Sequence, residues 1–194
     1  MGLGLDYGDG QTLLSEEEKE GLLIPGILYR GELDEFEQLN IEKAIQWSLG
    51  RSIKSETLFT ENFILKIHEK MFGDVWAWAG EYRKSNKNIG VDRWQISVQL
   101  KYLLDDGRFW YQNNIYSPDE LAIRFKHRLV SIHCFANGNG RHSRLVADII
   151  IGNLYLSKVF SWGSGKNGSR SDYLKALKIA DSGYYQPLID FARS

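Results

Sequence analysis

Residues 117–156 constrain the fold more tightly than any other stretch of this chain. Ser117-Pro118-Asp119-Glu120 is a strong helix start: serine as cap, proline in the first turn, two acids against the helix dipole. Leu121, Phe125, Leu129 and Ile132 then recur at helical spacing and predict a buried stripe that delivers His133 at the helix end. A second apolar pattern, with Leu145, Ile149 and Gly152 inward, predicts a helix over 141–156. Between the two lies the polar, glycine-containing loop of "SIHCFANGNGRHSR", Ser131 to Arg144.

The rest of the chain continues the helical theme. Ser15-Glu16-Glu17-Glu18 is a capping box for a short acidic helix to about Leu23, ended by Pro25-Gly26. A helix over 32–49 is predicted from Leu33, Phe36, Asn40, Ile41, Ala44, Ile45, Ser48 and Leu49. Thr60 caps a third, striped by Phe63, Ile64, Ile67 and Met71. Further helices are predicted over 97–111, from Ser171-Asp172 to about Ala180, and over 185–192, with a Gly/Ser turn at 163–169 and a loose Gly- and Asp-rich arm at 1–12. Glycines interrupt the segment from Gly73, and Ile89-Gly90-Val91 is the best strand candidate, so residues 82–96 are predicted to form a short β-hairpin or extended flap. The expected fold is mainly α, a helical bundle with one β-flap.

Composition narrows the function classes. The net charge of -1 argues against a surface built for direct nucleic-acid binding. A single cysteine, Cys134, excludes an internal disulfide and a cysteine-rich zinc site. The acidic N-terminus lacks the basic region of a signal peptide, and no apolar run approaches the roughly 20 residues of a membrane span. The sequence therefore predicts a cytoplasmic protein with no membrane partner.

The loop between the two best helices is where chemistry is expected. Glycines at 138 and 140 allow successive backbone N–H groups to turn to one concave side, and the following helix aims its positive end into that concavity. Arg141 and Arg144, three residues apart, are expected on one helix face, where two forked cations suit linked phosphates. His133 enters from the preceding helix, and a neutral imidazole there suits proton abstraction from a hydroxyl. The common phosphate motifs do not fit: Ser143 stands where a Rossmann fingerprint needs Gly or Ala, and there is no Gly-Lys-Ser/Thr. His68, His127, His133 and His142 show no metal-ligand spacing, and Cys134 reads as a small buried side chain.

The run His133-Cys134-Phe135-Ala136-Asn137-Gly138-Asn139-Gly140-Arg141-His142-Ser143-Arg144 resembles the signature of Fic (Fido) domain proteins, His-x-Phe-x-Asp/Glu-Gly-Asn-Gly-Arg-x-x-Arg. Trp78-Ala79-Gly80-Glu81-Tyr82-Arg83 is similar to the segment leading into the Fic flap. The resemblance covers about residues 55–194, leaving 1–54 as an N-terminal arm and helices packing on the core. "RGELDEFEQLNIEKAIQW" is similar to the mobile mystery protein B subgroup. The resemblance implies an enzyme that moves AMP from ATP to a Ser, Thr or Tyr hydroxyl of a target protein. His133 would be the general base. Gly138, Asn139 and Gly140 would form the anion hole, with Arg141 on the phosphates and Arg144 on the γ-phosphate. Phe135 would anchor the loop. Lys87, Asn88, Ile89, Gly90 and Val91 would pair with the target backbone by strand addition. A small helix-turn-helix or antitoxin-like protein would be a partner.

Asn137 departs from the pattern. The family has there an acid that binds Mg²⁺; an amide oxygen is an uncharged, weaker ligand. The alternatives are a working transferase with weak Mg²⁺ binding, a related phosphotransfer such as phosphorylation or other phosphate-diester transfer, and a nucleotide-binding regulatory protein with little turnover. The resemblance also suggests an inhibitory helix ending in Glu-Gly/Asn. Thr57 to Asn62 fits its letters, and the first acidic helix is a candidate to lie over Arg144.

Overall fold

The structure, a computed structural model, describes residues 15–27, 29–164 and 169–194. The arm at 1–12 and most of the 163–169 turn lie outside them. The helices in chain order are α1 (Glu16–Glu20), α2 (Arg30–Leu49), α3 (Ser55–Leu58), α4 (Glu61–Phe72), α5 (Ile96–Gln112), α6 (Pro118–Ile132), α7 (Asn139–Leu154), α8 (Arg170–Ala180) and α9 (Gln186–Arg193). A 3-10 turn, Arg93–Gln95, leads into α5.

The local signals place the helix starts. Ser15 and Glu18 form the expected capping box, with Ser15 N donating to Glu18 Oε2 at 2.7 Å. Thr60 Oγ1 accepts from Phe63 N at 3.3 Å, which starts α4 and separates it from α3. The letters of Thr57 to Asn62 therefore straddle a helix break. Ser117 caps α6 with Pro118 in its first turn, a cap of the kind that stabilises a helix by about 1 kcal/mol. α1 stops short of Leu23 because the following backbone finds tertiary partners: Leu23 N donates to Val75 O at 2.9 Å and Ala77 N to Gly21 O at 2.8 Å.

α6 and α7 pack on each other at the centre, with α5 and α9 against α6 and α4 against α7. α2 lies on α4 and also reaches α7. Ile64, Ile67, Phe125, Phe135, Val146 and Ile150 are fully buried in this core, and Leu33 of α2 joins it. α2 buries most of its expected stripe, Leu33, Asn40, Ile41, Ala44 and Ser48, but departs from it at one place. Phe36 is 42% exposed, whereas Glu37 is completely buried beside Leu33, Ile41 and Ala44.

The flap is not a β-hairpin: residues 82–92 contain no strand. Its backbone groups are bonded outward rather than to each other. Arg83 N donates to Cys134 O at 2.9 Å and Val91 N to Ile132 O at 3.3 Å. The two limbs are joined by side chains instead, with Asn86 Nδ2 donating to Asp92 Oδ2 at 2.9 Å and Arg93 N to Asn86 Oδ1 at 2.8 Å. No helix among the described residues is long and apolar enough to cross a membrane.

Candidate active site

His133 caps the C-terminus of α6 in the left-handed conformation, φ 58° and ψ 60°. That backbone is unfavourable for a residue with a Cβ and persists only where its surroundings enforce it. The flap enforces it here. Arg83 Nε donates to His133 O at 2.7 Å, and a Cβ on Gly90 would come within 2.5 Å of His133 Cβ. Burial is the main cause that holds the imidazole down at about 4, with the nearby charges of Arg83 and Lys87 adding to it and a backbone hydrogen bond at Val130 opposing. His133 is therefore a neutral imidazole at physiological pH, the form a proton acceptor needs.

The loop after His133 is braced from within. Phe135 N donates to Asn139 Oδ1 at 3.0 Å, and Asn139 Nδ2 donates back to Phe135 O at 2.8 Å. Phe135 is the buried anchor expected of it, stacked on His68 with centroids 3.7 Å apart. Gly138 caps α7 with φ 77°, and a Cβ there would collide with the Phe72 ring at 2.5 Å, so only glycine fits both the angle and the space. α7 begins at Asn139, earlier than the sequence pattern suggests. Helix geometry leaves the first-turn N–H groups of Asn139, Gly140 and Arg141 without intrahelical acceptors. Nothing lies within 4 Å of a Cβ built on Gly140, so the helix surface at that position borders open space.

Asn137 turns its side chain to the loop. Its Oδ1 accepts from Gly138 N at 2.7 Å, and its carbonyl oxygen accepts from His68 Nε2 at 3.0 Å. His68 must carry its proton on Nε2, because Nδ1 accepts from Gly80 N at 3.0 Å. Among the described residues no three His, Cys, Asp or Glu side chains gather as for a metal ion, and the one oxygen expected to ligate is committed to an amide. The residues present do not fit a protein-held Mg²⁺.

The two arginine side chains turn to different neighbours. Arg141 swings to α2, where its guanidinium meets Glu37 Oε2 at 2.7 Å and lies 4.9 Å from the Phe72 ring centroid. The other oxygen of Glu37 accepts from Trp76 Nε1 at 2.7 Å. Arg144 swings to α8, with its guanidinium 5.7 Å from the Tyr173 ring centroid. Tyr173 Oη accepts from the fully buried Lys126, whose ammonium is held well below its ordinary value by burial and by the charge of Arg144. Asp148, one turn beyond Arg144, is pushed up to about 6 by burial even though Trp162 Nε1 donates to it at 3.0 Å.

α1 covers the flap rather than Arg144. Glu18 pairs with Lys87, accepts from Ser85 Oγ at 3.2 Å, and gives its backbone oxygen to Trp78 Nε1 at 2.9 Å. A cavity of about 260 Å³ lies between α1, residues 78–85 and Ala136. Of the docking residues expected from the sequence, Lys87 is nearly buried and Val91 has its N–H on Ile132; Asn88, Ile89 and Gly90 face solvent. Cys134 is buried, with its thiol pushed up to about 12.

The structure thus brings His133, the α7 amides and Phe135 together, as their spacing suggested. Spacing did not single out Glu37, His68, Arg83 or Lys126, which the structure places around them. Glu37 left one signal, a charged residue at an inward helical position, and Lys126 another, a lysine next to the buried stripe of α6.

This arrangement has relatives. Residues 58–151 match the model of the Fic/DOC family. Among curated proteins, the chain is 25% identical over 159 residues to "Protein adenylyltransferase Fic" of Aedes aegypti and 27% identical to that of Drosophila mojavensis, covering 80% of this chain and 31% of each relative. The chain thus spans about a third of the length of these relatives. Among solved structures, Fic-1 (residues 134–508) from C. elegans superposes with a TM-score of 0.69 at 23% identity, over 95% of this chain and 56% of that one. BepC of Bartonella tribocorum, solved with bound AMPPNP, gives 0.68 at 20% identity, over 91% of this chain and 95% of that one. Over residues 58–151 the chain matches the Fic/DOC family, and its helical fold is the one these solved Fic structures share.

Proposed function

We propose that this chain is a protein adenylyltransferase that moves AMP from ATP to a Ser, Thr or Tyr hydroxyl of a target protein. The observation that carries this reading is a neutral, buried His133 held against Gly90 of the flap and followed directly by the amide-lined start of α7. A target segment lying on Asn88–Gly90 brings a hydroxyl to the His133 imidazole. A ring nitrogen takes the proton as the hydroxyl oxygen bonds to the α-phosphorus; pyrophosphate leaves with the electron pair of the broken P–O bond. The N–H groups of Asn139 and Gly140 and the guanidiniums of Arg141 and Arg144 meet the charge on the phosphates. The curated relatives named as adenylyltransferases support this reading, as does the nucleotide analogue bound to BepC.

A second reading has its own observation. Asn137 Oδ1 occupies the Gly138 N–H, one of the donors the site would offer to phosphate. This favours a nucleotide-binding regulatory protein with weak or altered phosphotransfer, working with a small helix-turn-helix partner. Incubation with α-labelled ATP, divalent cation and a bacterial lysate separates the two. Protein label that disappears in His133→Ala supports the transferase. Label appearing only in Asn137→Asp supports the regulatory protein, and label from γ-labelled ATP alone supports phosphorylation.

A further inference from the structure

Among the described residues, no carboxylate is in contact with the Arg83 guanidinium. The side chain is 4% exposed and donates to three backbone carbonyls: His133 through Nε at 2.7 Å, Ser85 through Nη1 at 2.7 Å, and Val91 through Nη2. Its own N–H adds a fourth link, to Cys134 O at 2.9 Å. Ser85 and Val91 belong to opposite limbs of the flap, and His133 and Cys134 open the loop. One planar fork therefore joins three separate backbone segments, a geometry that a lysine, with a single ammonium, does not reproduce. Gly90 completes the contact, since any Cβ there would fall 2.5 Å from His133 Cβ and 3.2 Å from Arg83 Nη2.

We infer that Arg83 is a positioning residue that fixes the flap and the His133 imidazole as one unit, so that whatever docks on Asn88–Gly90 meets the ring at a set offset. This rests on the reading of His133 as the base and of the flap as the docking edge. Two consequences separate it from a residue that only stabilises the fold. Loss of the fork must loosen the flap and the His133–Gly140 loop together. It must also change the surroundings of the His133 ring, whose charged neighbours are Arg83 itself and Lys87 of the flap.

The test uses the full chain as wild type, Arg83→Lys, Arg83→Gln and Gly90→Ala. Amide hydrogen exchange is followed for residues 84–92 and 133–140, and the His133 ring is titrated by NMR, with His133→Ala for assignment. Arg83→Lys is expected to raise exchange at least tenfold in both segments while α2 and α5 keep their protection. Arg83→Gln is expected to do the same and to move the His133 midpoint upward. Gly90→Ala, which keeps the fork but forces the flap off the ring, is expected to shift the His133 midpoint on its own. Loosening of the flap with the loop and the ring unchanged overturns the inference, as does uniform loosening of every helix. Neither readout needs turnover. A chain that shows the coupled loosening but never labels a target refutes the proposed transferase and leaves the positioning role intact.

Discussion

Glu37 and Arg141 meet at 2.7 Å across the contact between α2 and α7, and the carboxylate is completely buried while the guanidinium keeps about a third of its side chain exposed. The arginine proposed to meet phosphate is thus already half answered by an acid from another helix. Phosphate has to share Arg141 with Glu37 or displace it. Glu37→Gln keeps the acceptor for Trp76 Nε1 and removes the competing charge. ATP or pyrophosphate should bind that variant about tenfold more tightly, which corresponds to about 1.4 kcal/mol. Isothermal titration measures it, and equal affinity in the two proteins would show that Glu37 only orients the arginine.

Asn139 is a strut more than a ligand. Its side chain uses both ends of the amide on the backbone of Phe135, in a buried setting. Asn139→Ala leaves a buried N–H and a buried C=O unanswered, and destabilisation of about 2–4 kcal/mol is expected. Urea unfolding checks the figure. A loss under about 0.5 kcal/mol, the scale of a surface change, contradicts this role.

Acid should weaken the fold in a defined window. Burial holds His133 and His142 down at about 4, and His142 Nε2 donates to Ile64 O at 3.0 Å in the core. Between pH 6.5 and 4 the unfolded chain takes up protons that these folded imidazoles refuse. Stability is therefore full above 6.5 and falls as pH drops towards 4, by roughly 3 kcal/mol for His142 alone. Asp148 works the other way, because its carboxyl is pushed up to about 6 and is relieved by protonation below that. Urea midpoints across the range should fall with acid, and His142→Gln should flatten the slope. A flat wild-type profile contradicts the assignment.

Asn137→Asp is expected to create what the amide withholds. The carboxylate retains an acceptor for Gly138 N–H and adds charge beside the α7 amides. In the presence of ADP, Mn²⁺ affinity should rise at least tenfold over the wild type, as read by water-proton relaxation. Unchanged Mn²⁺ binding means that the geometry of the loop, not the charge of residue 137, sets metal affinity.

The site was legible where local rules act alone. Ser117-Pro118 and Gly138 are governed by caps and by a backbone angle that favours glycine, and they stand where their letters imply, while Gly140 falls inside the first turn of α7. It was illegible where partners are distant in sequence. Glu37 reaches Arg141, and His68 reaches Asn137, through tertiary contacts that no local spacing encodes. The flap shows the same limit from the other side. Ile89-Gly90-Val91 has strand letters, yet the 82–92 backbone is spoken for by Arg83 and by Ile132 and Cys134 of the loop, so no ladder forms. On α2, apolar letters put Phe36 in the stripe, whereas Phe36 is exposed and the acid after it is buried among the stripe residues that held.

The close approach of Gly90 to His133 also limits how this surface can diversify. Position 90 admits no side chain, position 83 is fixed by its three carbonyls, and position 87 is engaged by α1. Variation in what the flap accepts is left to Asn88 and Ile89, which are exposed. A library randomised at those two codons alone would explore most of the recognition this edge can offer.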